Sequence, residues 1–87
     1  MTYKVQLSSH AVREYKKIDS SARPYLQAAL DALQHNPPAG LKIKRLKGRL
    51  HSYHRYRVGD YRIVYSVDLR QRIVHVDYIQ HRRDVYR

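Results

Sequence analysis

Tyr53-His54-Arg55-Tyr56-Arg57-Val58-Gly59-Asp60-Tyr61-Arg62-Ile63-Val64-Tyr65 is the stretch on which the fold turns. On each side of Gly59-Asp60 the residues alternate in type, the period of a half-buried strand. A Gly-Asp pair between two such runs reads as a two-residue hairpin turn, with Gly59 in a backbone region closed to other residues. Register then follows by counting. Val58 faces Tyr61, Arg57 faces Arg62, Tyr56 faces Ile63, Arg55 faces Val64 and His54 faces Tyr65. One face carries His54, Tyr56, Val58, Tyr61, Ile63 and Tyr65, suited to packing under helices. The other carries Tyr53, Arg55, Arg57, Arg62 and Val64. Like charges directly opposite across a ladder repel, so Arg57 and Arg62 beside Arg55 point to an anion as the normal occupant of that face.

Working outward, Tyr3, Val5 and Leu7 alternate with Lys4 and Gln6 as a strand does. Ser8 or Ser9 can cap a short helix carrying Val12, Tyr15 and Ile18. Asp19-Ser20-Ser21 offers a cap for a longer helix reaching about His35, with Ala22, Leu26, Ala29, Leu30 and Leu33 on one face. Pro24 is tolerated in the first turn, where its missing N–H has no helical partner to lose. Asn36-Pro37-Pro38-Ala39-Gly40 stops that helix. A basic β-like run spans Leu41 to Lys47, a turn falls at Gly48, and strands cover about Ser52 to Val58, Tyr61 to Val67 and Arg72 to Ile79. The last strand resists orientation, because Val74, Val76 and Tyr78 compete with Ile73, His75 and Ile79 for the inner face. The expected class is α+β: strand, two helices, then antiparallel strands, with both helices on one face of a small curved antiparallel sheet. Eighty-seven residues suit one domain over residues 1–87.

Charge is concentrated in the second half. From Leu41 onward there are 13 Lys/Arg against 4 Asp, with 6 of the 9 Tyr interleaved, whereas residues 1–40 hold 5 Lys/Arg against 3 acids. A net charge of +11 distributed this way suits a polyanionic partner, RNA or DNA above all. The chain has no Cys, which removes disulfides, thiolate metal sites and Cys nucleophiles and fits a cytoplasmic location. No stretch reads as a signal peptide or a membrane span, so no membrane partner is expected.

A metal nuclease needs converging carboxylates, and Asp60, Asp68, Asp77 and Asp84 are spread out. His51 and His54 form an H-x-x-H whose odd spacing on a strand sends the rings to opposite faces, with His54 toward the core. No metal or cofactor is expected. RNA can be cut without one, when a 2′-OH attacks its neighbouring phosphate. That reaction asks for a proton acceptor, cations around the phosphorane and an acid for the leaving 5′-oxygen. Arg binds oxyanions through a planar, permanently charged fork, His transfers protons near neutrality, and Tyr stacks on an unstacked base. Arg55, Arg57 and Arg62 share a face, and His81, Arg82 and Tyr86 follow the last strand, where a tail folding back would reach them.

Three segments in order, Leu46-Lys47-Gly48, the hairpin from Tyr53 to Tyr65, and His81-Arg82-Arg83-Asp84-Val85-Tyr86, resemble the RelE branch of the RelE/ParE toxin superfamily. The strand, short helix, longer helix and Asn-Pro stop before them are similar too, so the resemblance covers essentially the whole chain. It implies a RelE-like fold and the toxin of a type II toxin–antitoxin system. It further implies an mRNA interferase that cuts translated mRNA in the ribosomal A site by metal-independent 2′-OH attack and is neutralised by a cognate RelB-like antitoxin, acidic and partly disordered. The toxin itself is expected to be monomeric, joining a higher-order complex with its antitoxin.

By that resemblance Arg62 stabilises the scissile phosphate and Arg55 falls on a family basic position. Tyr86 orients substrate, and His81 is a general-acid candidate. Lys42, Lys44, Arg45, Lys47, Arg49, Tyr53, Arg57, Arg82 and Arg83 form the surface for RNA and ribosome. Tyr53 stands where some members carry a lysine, so the general base has no assignment, with His51, Tyr53 and a ribosomal group all open. Two alternatives stand beside this reading: the related ParE branch, which inhibits DNA gyrase, and a non-catalytic module that binds RNA or antitoxin.

Overall fold

A computed structural model of the chain describes residues 2–35, 43–45 and 53–82, with backbone alone over residues 43–45. The elements run β1 (Lys4–Leu7), α1 (Ser9–Lys16), α2 (Arg23–Leu33), β2 (Ile43–Arg45), β3 (Tyr53–Val58), β4 (Tyr61–Asp68) and β5 (Ile73–His81). They form an α+β fold with the two helices packed on one face of a five-stranded sheet of order β1-β5-β4-β3-β2.

The hairpin register expected by counting is the register observed, from Val58 opposite Tyr61 to His54 opposite Tyr65, and it continues to Tyr53 opposite Ser66. Gly59 has φ +59 while Asp60 does not enter the left-handed region, the pattern of a type II′ turn, whose twist matches that of the flanking strands. Ile63 and Tyr65 are fully buried, and Tyr56, Val58 and Tyr61 pack at the margin of the same core. The split into a helix-facing and an open face is therefore as the alternation implies.

The sheet is mixed rather than wholly antiparallel. β1 runs parallel to β5, with Val5 opposite Val74 and Leu7 opposite Val76. A parallel pair needs a long crossover, and everything between Leu7 and Ile73 supplies it. The ladder is extended at both ends by Lys4 N–H donating to the Arg72 carbonyl and Ser8 N–H donating to the Val76 carbonyl, each at 2.9 Å. β5 also runs two residues further than the alternation suggested, to His81.

A β-bulge explains why β5 resisted orientation. Tyr65 pairs with Val76 but Val64 pairs with Tyr78, leaving Asp77 as the extra residue. The side-chain phase flips there: Val74 and Val76 are buried before the bulge, and Ile79 after it. Both competing patterns were partly right. The Asp77 carbonyl receives the Ser8 hydroxyl at 2.7 Å, and the same Ser8 oxygen caps α1 by accepting from Ala11 N–H at 3.0 Å.

The helices depart from expectation in two places. On α1 it is Ala11 that is buried, while Val12 is 38% exposed, and Ile18 reaches the core from beyond the helix end. α2 buries Leu26, Ala29, Leu30 and Leu33 as the spacing requires, yet its N-cap is Ala22, with no side-chain cap. Ser21 donates to the Asp19 carboxylate instead, and the Asp19 carbonyl accepts from Ala22 and Arg23 N–H. Backbone replaces side chain because the short turn between the helices already delivers that carbonyl to the helix end.

Two measurements follow from the hairpin. A Cβ at Gly59 would meet nothing within 4 Å, so Gly59→Ala carries only the backbone penalty of a positive φ. It should lower unfolding free energy by about 1 kcal/mol, read by urea denaturation; a neutral result would contradict the turn conformation. Burial pushes the Tyr65 hydroxyl well above its ordinary ionisation range, so its contribution to stability is complete below pH 10 and lost as pH rises above it. Wild-type stability should fall above pH 10 more steeply than that of Tyr65→Phe, by up to about 1.4 kcal/mol per pH unit, in denaturant melts across that range.

Candidate nucleic-acid interface

The open face of the sheet is built by side-chain parity. With Ile63 and Tyr65 pointing under the helices, Arg62 and Val64 point out, and the register adds Arg55 opposite Val64 and Arg57 opposite Arg62. Arg57 is exposed and Arg55 and Arg62 are partly exposed. Among the described residues Arg55 and Arg57 have no ion-pair or hydrogen-bond partner. Val64 is buried on the same face, flanked across the strands by Arg55 and Tyr78, whose apolar stem and ring can cover it.

At the hairpin tip this face ends in a small polar cleft of about 160 Å³ lined by Arg57, Gly59, Asp60, Tyr61, Arg62 and Arg82. Arg82 is brought there by its backbone N–H, which donates to the Asp60 carbonyl at 2.6 Å. Three guanidinium-bearing residues around one concavity suit an oxyanion.

His81 is placed differently from the arginines. It pairs with Tyr61 at the end of the β4–β5 ladder, on the helix side of the sheet, and the two rings meet edge to face at 4.8 Å and 90°. It lines a larger cleft of about 610 Å³ between α2 and the hairpin, with Ala22, Tyr25, Leu26, Tyr56 and Val58 among the walls. The two clefts share Arg57, Gly59, Asp60 and Tyr61. The expected tail folding back beside the arginines is thus not how His81 is positioned: it belongs to the strand, and meets the arginine cleft only around the hairpin tip. His54 faces the core and stacks on Tyr65 at 5.3 Å.

Lys42, Lys47, Arg49, His51, Arg83 and Tyr86 lie outside the described residues. Lys44 and Arg45 hold register positions in β2 opposite Arg55 and His54. Tyr53 is on the open face, within electrostatic reach of the Asp77 carboxylate. Hydrogen bonding toward that carboxylate, and its negative charge, hold the Tyr53 hydroxyl protonated above its ordinary range, which removes Tyr53 as a tyrosinate base near neutrality. Sequence reasoning passed over Asp77 and Tyr78. With Val74 and Val76 facing the core, alternation places Asp77 on this face, and the bulge adds Tyr78 to it.

Comparison with known proteins gives the family to which this α+β fold with a cationic open sheet belongs. Residues 5–86 match the ParE toxin of type II toxin–antitoxin systems, parDE. The chain belongs to this family, within the RelE/ParE superfamily of type II toxin–antitoxin toxins. Among solved structures it is similar to the archaeal RelE of the RelE–RelB complex from Pyrococcus horikoshii, at 24% identity and TM-score 0.81, covering 94% of this chain and 97% of that one. A RelB–RelE antitoxin–toxin complex from Methanococcus jannaschii matches at 26% identity and TM-score 0.73, over 92% and 93% of the two chains. The YoeB/ParE toxin from Agrobacterium tumefaciens matches at 20% identity and TM-score 0.78, over 90% and 96%. Comparison with curated protein sequences found no match.

The Tyr53–Asp77 interaction can be tested by pH titration of the Tyr53 ring by NMR. In the wild type its midpoint should lie above the free-tyrosine value, and Asp77→Asn should bring it down toward that value. A midpoint indifferent to the substitution would contradict the contact.

Proposed function

We propose that this chain is a ribosome-dependent mRNA endoribonuclease, cutting translated mRNA in the A site by metal-independent attack of a 2′-OH on the adjacent phosphate. The observation that supports the reading is the arginine face, with Arg57 and Arg62 directly opposed and Arg82 closing a polar cleft at the hairpin tip. Two cations held face to face cost stability and are offset when a phosphate lies between them. Arg62 stabilises the charge of the phosphorane, Arg57 and Arg82 help seat it, and Arg55, two residues inward, holds a flanking phosphate. His81 reaches the leaving 5′-oxygen around the hairpin tip as general acid, and Tyr86 orients the substrate. Lys42, Lys44, Arg45, Lys47, Arg49 and Arg83 extend the basic surface toward ribosomal RNA.

In this reading the partner in the resting state is a cognate RelB-like antitoxin, as in the archaeal complexes. An acidic, partly disordered chain suits it, since such a segment folds as it binds and can cover the arginine face while burying apolar surface. The protein acts in the cytoplasm. Among the described residues no helix is long and apolar enough to cross a membrane.

The family match itself favours a second reading, inhibition of DNA gyrase as by the ParE branch. One pair of assays separates them. In primer extension on programmed ribosomes, the wild type should cut mRNA and Arg62→Ala should cut about 100-fold more slowly, the effect of losing one preorganised charge donor. Wild-type cutting by that variant would remove Arg62 from the chemistry. An intact message together with blocked gyrase supercoiling would establish the second reading in place of the first.

A further inference from the structure

Two clefts of opposite character meet at one turn. The polar cleft, about 160 Å³, gathers Arg57, Arg62 and Arg82. The larger, about 610 Å³, opens between α2 and the hairpin and is lined by four ring-bearing residues, Tyr25, Tyr56, Tyr61 and His81. Gly59 and Asp60 line both. A Cβ at Gly59 would stand in open space, so no side chain of that residue divides one cleft from the other. The Arg82 N–H donates to the Asp60 carbonyl at 2.6 Å, one residue after His81, which pairs with Tyr61.

A ligand that spans this turn must be flat and apolar at one end and anionic at the other. The larger cleft is of the size that takes small organic ligands, whereas the smaller has room for little beyond a phosphate group. Three arginines against the one carboxylate of Asp60 leave the small cleft cationic. Across the tip, Tyr61 and His81 meet edge to face, which leaves one of the two rings with both faces uncovered by its partner. Tyr25 is 70% exposed. Rings held in this way stack on any base. A nucleotide divides its character as the clefts do, and its ribose would cross the tip at Asp60, whose carboxylate is an acceptor suited to a 2′-OH.

The cleavage reading gives the strand its direction. With the phosphorane on the arginines and the 5′-oxygen leaving toward His81, the nucleoside on that oxygen is carried to the helix side. We propose that the two clefts form one ribonucleotide site for the residue immediately 3′ of the scissile phosphate. Its base enters the larger cleft, its ribose meets Asp60, and its 5′-phosphate sits on the arginines. The proposal rests on the reading of the arginine cleft as a phosphate seat and adds to it the place of the downstream base.

The test is an NMR titration of the full chain with labelled Tyr and His side chains. The probes are adenosine 5′-monophosphate, its 2′-deoxy form, adenosine, inorganic phosphate, and the dinucleotide ApA with a 2′-O-methyl group on its first residue to block cleavage. Adenosine monophosphate should bind about tenfold more tightly than adenosine or phosphate, moving the Tyr25, Tyr61 and His81 rings but not Tyr53 on the open face. The deoxy form should bind about tenfold more weakly, the contribution of one hydrogen bond to a charged acceptor, and Asp60→Ala should erase that difference. Tyr25→Ala removes an exposed ring from outside the core; it should weaken the nucleotide and adenosine but not phosphate. Arg82→Ala should weaken the nucleotide and phosphate but not adenosine. The blocked dinucleotide should move the same rings. No binding, a nucleotide held no tighter than its parts, a deoxy form bound equally well, affinities indifferent to Tyr25→Ala and Arg82→Ala, or shifts at Tyr53 instead would each overturn the proposal. So would refusal of the dinucleotide, which marks a site for free nucleotides. Neither ribosome nor cleavage enters the titration, so a protein that cuts no mRNA and one that holds no downstream base give separate results.

Discussion

The two-residue turn at Gly59-Asp60 is the constraint on which the rest depends. A two-residue loop admits one register, and in a strand pair register decides which face every side chain occupies. Shift β4 by one residue against β3 and Ile63 and Tyr65 leave the core while Arg62 enters it. The hydrophobic core and the arginine face are therefore two readings of one alignment. Stability secures the arginine surface here, because any slip that scattered the arginines would also expose the buried Tyr65 ring and desolvate a guanidinium.

The bulge at Asp77 is the counterpart of that rule on the other side of β4. A strand in strict alternation could not bury Val74, Val76 and Ile79 together, since the last has the opposite parity. One extra residue reconciles them. The carbonyl it displaces is taken up by Ser8, which also starts α1. A local irregularity in the sheet is thus fastened to the first helix.

What could be read in advance followed from short-range rules. Turn chemistry and alternation were enough for β3, β4 and the set of residues at the face, and the 3.6-residue spacing of Leu26, Ala29, Leu30 and Leu33 was enough for α2. Long-range facts were not legible. That β1 lies parallel to β5 depends on how the whole chain closes, and nothing in Tyr3 to Leu7 encodes it. The bulge hid the orientation of β5 for the same reason, because two incompatible phases were superimposed in nine residues. His81 was misplaced in consequence: with the strand thought to end at Ile79, it was assigned to a tail, whereas two more ladder residues turn its ring toward Tyr61. Net charge indicated a polyanion and could go no further, whereas the position of single residues on a known face could.

The strand order bears on how such a chain comes into being. β5 is the last strand in the sequence, yet it lies between β1 and β4 and contributes Val74, Val76 and Ile79 to the core. During synthesis the first strand waits for a neighbour made more than sixty residues later, and contacts of that separation form slowly. Until β5 leaves the ribosomal tunnel the helices have half a floor to pack on. A nascent chain that still lacks β5 therefore carries Arg55, Arg57 and Arg62 without the scaffold that aligns them.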